Sequence, residues 1–151
     1  MSAWNIRPLM SSAPPSINPK ESLRRAHTLM RTAKVEELFV LDDGKLVGTL
    51  SEGDIWQHCP TSAVVLDDKQ AEELLEQFRV GGVMTLHPPV VTPETTLREA
   101  VQLFGQSGRH GLPVVEDGVP IGLLTEDRVM QTVAAVLGEV EQSEIRTRDK
   151  S

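Results

Sequence analysis

The sequence predicts an α/β fold of two β-α-β-β-α repeats packed with pseudo-two-fold symmetry, and three observations carry that prediction. Residues 10–55 align with residues 84–129 at a constant offset of 74 without a gap, and fifteen of the 46 pairs are identical. Chance matching at ordinary composition gives about three. Apolar residues recur at three- and four-residue spacing at the same place in both copies, which marks a helix with one buried face. In both copies an Asp-Gly dipeptide separates two apolar runs, a strong hairpin signal because glycine accepts positive φ. A gap-free duplication implies two equivalent clefts beside the joint, and differences between the copies indicate which cleft has kept a chemistry.

Each copy opens on paired prolines, Pro14-Pro15 and Pro88-Pro89, and a brief β-prone stretch at Ser16-Ile17 or Val90-Val91-Thr92. A helix follows. Ser22 is placed to cap the first, with Leu23, Ala26, Met30 and Ala33 on one face. Thr96 and Glu99 spell a capping box for the second, and Leu97, Ala100, Val101 and Phe104 supply its buried face. Two strands come next, residues 38–41 and 46–50 around Asp42-Asp43-Gly44, and residues 112–115 and 121–124 around Glu116-Asp117-Gly118. A second helix begins straight after each hairpin, near Ser51 and near Thr125.

Between the copies, Ala71, Leu74, Leu75 and Phe78 predict a connecting helix, with Asp67-Asp68 and Glu72-Glu73 on its wet face and Pro60 interrupting the chain before it. Residues 129–140 read as a last helix, and the polar stretch 141–151 is expected to fray. The expected division is residues 1–60 for the first repeat, 61–79 for the connector, 80–140 for the second repeat and 141–151 for a polar tail. A copy of some fifty residues buries too little apolar surface alone, so the two are expected to share one core.

Formal charge is −7 and no stripe of Lys and Arg is present. That argues against a nucleic-acid backbone or an anionic membrane as partner, since both demand concentrated positive charge. A local basic pocket for a small anion stays open. The single Cys59 forms no internal disulfide, no basic-then-apolar leader opens the chain, and no apolar run approaches the ~20 residues that span a bilayer. The expectation is a cytoplasmic protein.

Several segments together resemble the cystathionine-β-synthase (CBS) domain, and their duplication is similar to the tandem CBS pair called a Bateman module. They are Val80-Gly81-Gly82-Val83-Met84-Thr85, Arg109-His110-Gly111-Leu112-Pro113-Val114-Val115, Gly122-Leu123-Leu124-Thr125 and Gly48-Thr49-Leu50-Ser51-Glu52-Gly53-Asp54. The resemblance runs from Ile6 to about Leu137. It implies two repeats packed through their sheets, two equivalent clefts and further association into a flat homodimer. It also implies a free-standing regulatory module, not an enzyme, that binds AMP, ADP, ATP or S-adenosylmethionine and acts on a partner protein. The alternative is a constitutive scaffold whose clefts are vestigial.

The Gly-x-x-Ser-x-x-Asp ending has its own physical reading. Gly48 leaves room for a ligand or a neighbouring backbone. Ser51 sits at a strand-to-helix junction, where free N–H groups favour a phosphate. Asp54 projects from the first turn beside it, where a carboxylate accepts hydrogen bonds from ribose hydroxyls. The same two residues also suit a plain capping pair. In the second copy Thr125 and Arg128 stand at these places, and Asp127 is one position early, about 100° round the helix. Arg128 then meets phosphate or is a solvated arginine.

In the family each cleft borrows from both repeats, so the resemblance adds Thr85, Arg109 and His110 to the first site, with Leu50 and Val91 flanking the base. For His110 a strand-edge histidine bonded to backbone is the other reading. Trp4 and Trp56 read as packing or interface anchors, His27 as a border of the helix's buried face. His27, His58 and His87 are too scattered for a closed metal site.

Overall fold

The computed structural model describes residues 4–58 and 67–149. Cys59 and Pro60, and the beginning of the expected connector, lie outside the described residues. The first copy supplies β1 (Ser16–Ile17), α1 (Leu23–Ala33), β2 (Glu37–Asp42), β3 (Lys45–Ser51) and α2 (Glu52–His58). The connector contains α3 (Asp68–Glu76). The second copy supplies β4 (Thr85–Leu86), α4 (Leu97–Ser107), β5 (Gly111–Glu116), β6 (Val119–Thr125) and α5 (Glu126–Asp149).

Both hairpins form as the Asp-Gly turns predict. Asp43 and Gly44 have φ of 52° and 77°, and Asp117 and Gly118 have 53° and 80°, the pair of left-handed residues that a tight hairpin with native twist requires. Even the register irregularity is repeated, between Val40 and Leu41 and between Val114 and Val115.

The first sheet runs β1-β2-β3-β4, with β1 parallel to β2 and the other pairs antiparallel. Its last strand belongs to the second copy: Thr85 pairs with Thr49 and Leu86 with Gly48. The second sheet repeats this order with its outer members reduced to single bridges, Val91 beside Val114 and Ser11 beside Leu123. The β-prone stretch at Val90-Val91-Thr92 thus gives one bridge and no strand.

The opening of each copy therefore crosses to the hairpin of the other. Gly48 and Gly122 permit it: a Cβ on Gly48 would lie 2.7 Å from the Thr85 carbonyl oxygen, and one on Gly122 2.8 Å from that of Ser11. The close approach expected at Gly48 is a neighbouring backbone.

This exchange corrects the expectation of a single shared core. Two apolar clusters form, and each is completed from outside its own copy. Val80 and Val83 are buried with Leu23, Leu38, Leu50 and Ile55 in the first. Ile6 is buried with Ala100, Leu112, Val114 and Leu124 in the second. Each such side chain contributes about 1.5–3 kcal/mol on burial.

Helix caps follow the sequence in part. The Arg25 N–H donates to Ser22 Oγ at 3.2 Å. Asp67 and Gln70 form a full capping box, so Asp67 caps α3 instead of lying on its wet face. Thr96 accepts from the Glu99 N–H at 3.1 Å, but the Glu99 side chain does not accept the Thr96 N–H in return, so only half of the capping box forms.

Ala33 is exposed, since it occupies the last residue of α1 before Lys34 turns left-handed. The end of the chain differs most. α5 continues through Asp149 instead of fraying after Val140, because Glu, Gln and Arg are good helix formers and a polar run marks exposure, not loss of helix. Among the described residues no helix is long and apolar enough to cross a membrane.

Candidate functional site

The end of β3 and the start of α2 hold Ser51 and Asp54 in a reciprocal bond. The Ser51 N–H donates to Asp54 Oδ2 at 2.9 Å, and the Asp54 N–H donates to Ser51 Oγ at 3.0 Å. β4 brings Thr85 from the second copy, and its hydroxyl donates to the same Asp54 Oδ2 at 3.4 Å. The half-buried Asp54 carboxylate is thus tied to its own helix start and to the opposite repeat.

Beside this cluster lies an ion pair between the copies. Arg109, just before β5, donates through Nη2 to Glu37 Oε1 at 2.6 Å and to Thr49 Oγ1 at 2.9 Å. The two charged side chains are only 21% and 23% exposed, and Arg109 Nε is buried without a partner. Burial raises the Glu37 carboxyl from its ordinary range; Arg109 and a hydrogen bond from Thr49 offset part of that rise, and the Asp54 charge adds to it. In an environment of low polarity such a carboxylate is held by its guanidinium and loses its hydration.

The equivalent place on the other side is chemically different. By the offset of 74, Gly111 stands for Glu37, Leu123 for Thr49, Val35 for Arg109, Arg128 for Asp54 and Ser11 for Thr85. Thr125 Oγ1 accepts from the Arg128 N–H at 3.4 Å, which keeps half of the capping pair. Arg128 and Asp127 are both exposed. Polar chemistry is concentrated at one of two symmetric positions.

Of the residues the sequence singles out, Ser51, Asp54 and Thr85 are brought together, and Arg109 joins them through Thr49 and Glu37. Three are placed otherwise. Leu50 is wholly buried in the first core and Val91 in the second, so neither offers surface to a base; inward-facing strand positions fill cores first. The His110 side chain is 90% exposed and lies 3.8 Å from Glu126 of its own repeat. It is bonded to neither Ser51 nor Asp54; at the bend before β5 it is Arg109 that reaches the first repeat.

Glu37 lies outside the segments that carry the resemblance, and Thr49 lies within one of them without an assigned role. The signal for them is the comparison of copies, since a charge and a hydroxyl replace Gly111 and Leu123 within otherwise matched apolar strands.

Trp56 meets His27 edge-on, with ring centres 5.6 Å apart, and His58 Nδ1 is 2.9 Å from the Asp54 carbonyl oxygen. Among the described residues no group of three or more His, Cys, Asp or Glu side chains is placed to hold a metal. Two open depressions lie at matched places away from Ser51 and Asp54. One of about 340 Å³ is bordered by Ser22, Arg25 and Glu76, and one of about 720 Å³ by Trp4, Leu97, Gln102 and Val136.

Comparison with known proteins agrees with this architecture. The family model described as "CBS domain" matches residues 6–55 and 80–135. The chain is 30% identical over 146 positions to the chloroplastic CBS domain-containing protein CBSX2 of Arabidopsis thaliana, covering 84% of this chain and 61% of that protein. It is 32% identical over 111 positions to inosine-5'-monophosphate dehydrogenase of Korarchaeum cryptofilum, covering 73% of this chain and 20% of the enzyme. The chain thus spans less than two thirds of either relative. A crystal structure of CBSX2 in complex with AMP superimposes with a TM-score of 0.72 at 29% identity, covering 88% of this chain and 98% of that one. With two family matches in order, opening segments that cross between the copies and two symmetric positions of unequal chemistry, the chain belongs to the CBS-domain family and is a tandem CBS pair.

Proposed function

We propose that the first cleft binds an adenine nucleotide, AMP-like by preference, and that the pair acts as a regulatory module on a partner protein. The observation that carries this reading is the convergence of Ser51, Asp54, Thr85 and Arg109, drawn from both repeats onto one of two symmetric positions. Asp54 offers an acceptor for ribose hydroxyls, the start of α2 offers backbone donors for a phosphate, and Arg109 supplies positive charge. The AMP complex of CBSX2, a relative of the same fold, supports the ligand class. In this reading the module is a cytoplasmic homodimer that binds its ligand without turning it over.

A second reading, a scaffold with vestigial clefts, is favoured by one observation. The Asp54 carboxylate and the Arg109 guanidinium are already engaged within the chain. Thermal unfolding with a panel of adenine nucleotides separates the two. A ligand at a hundred times its Kd stabilises the fold by about 2.7 kcal/mol, a shift of several degrees that Asp54→Ala should abolish. No shift with any nucleotide at millimolar concentration favours the scaffold.

A further inference from the structure

We propose that Glu37 is a built-in competitor for the ligand's phosphate: its carboxylate holds the Arg109 guanidinium and makes the first cleft discriminate against highly charged nucleotides. The inference rests on the nucleotide reading above and deepens it.

Arg109 crosses from the second repeat to the first, and its Nη2 contacts Glu37 Oε1 at 2.6 Å and Thr49 Oγ1 at 2.9 Å. An ion pair this short and this shielded is screened far less than a surface pair, so an incoming phosphate meets an arginine whose charge is already balanced.

The charge count points the same way. Glu37 is close enough to Asp54 to feel its charge. Two carboxylates against one guanidinium leave the cluster one charge negative, while His110 is turned out to solvent. Each added phosphate is opposed by that surplus. The unpartnered Arg109 Nε is a donor that Glu37 leaves unused, available to a second oxygen once the pair opens.

The copies also differ at this place. The second repeat has Gly111 where the first has Glu37, so the fold at the start of this strand does not require a carboxylate. Its presence beside the arginine is specific to the polar cleft.

Calorimetric titration of the wild type, Glu37→Gln and Glu37→Gly with adenosine, AMP and ATP tests the proposal, with thermal melts to establish that each variant is folded. Glutamine keeps an acceptor for Nη2 and removes the charge. The expected result is adenosine affinity unchanged, AMP tightened by about tenfold and ATP tightened further. An equal change for all three ligands, or a loss of AMP affinity, overturns it. No binding of any ligand by the wild type or the variants refutes the nucleotide reading and this proposal together. AMP binding by the wild type without a gain in the variants refutes only the role of Glu37.

One readout does not depend on variants. In carbon-labelled wild type, saturation with AMP should shift the Glu37 carboxyl resonance as the Arg109 contact opens. An unmoved resonance with AMP bound overturns the competition.

Discussion

A methyl group on Gly48 would have its carbon 2.7 Å from the Thr85 carbonyl oxygen and 2.8 Å from Met84 Sδ. The methionine side chain can yield, whereas the carbonyl belongs to a paired strand. Gly48→Ala should therefore destabilise the fold by about 1–3 kcal/mol, read as a lowered urea midpoint with unchanged slope. An unaffected midpoint would show that β4 is not held as tightly as its pairing indicates. Glu37 supplies a second prediction at this scale. Burial raises its carboxyl above the ordinary value of 4.5, so the folded chain keeps that proton to higher pH than the unfolded chain does. The stability linked to the proton is complete below the unfolded pKa and is lost as pH rises through the folded one. From pH 4.5 upward, the stability of the wild type relative to Glu37→Gln should fall as pH rises. Parallel profiles for the two proteins would contradict the raised pKa.

Elements were legible where a local rule decides them. The Asp-Gly turns, the Ser22 cap and the α1 and α4 faces follow from spacing and turn chemistry that act within a few residues. α5 was less legible because polarity reports exposure, and residues 141–147 are exposed and helical at once. The strands that cross between copies leave no local trace. Thr85-Leu86 is too short to alternate, and its partner Gly48-Thr49 is remote in sequence. The site divides the same way. Ser51, Asp54 and Thr85 could be named from motif and resemblance. Glu37 and Thr49 could not, since their meaning depends on an arginine 72 and 60 residues away. Leu50 and Val91 were misplaced because an aliphatic residue on a strand looks the same whether it faces a cleft or a core.

At the scale of the molecule, neither copy is self-sufficient. Ile6 completes the second core, and Val80 and Val83 complete the first. A polypeptide of residues 80–151 would lack Ile6 and the Ser11 bridge, and should show neither a cooperative melt nor dispersed amide resonances. A well-folded isolated half would mean that the exchanged segments are ornament. Between the hairpins the backbone bond is one-sided: the Leu46 N–H donates to the Gly118 carbonyl at 3.0 Å, while the matching position is Pro120, which has no N–H to return. The crossed openings bear on how a signal would leave this protein in the regulatory reading. With each half clasping a segment of the other, no hinge can open along the midline without pulling Ile6 or Val80 into water. In the regulatory reading proposed above, the pair would move as one rigid lever, and its outer helices would be the place where a partner reads a bound ligand.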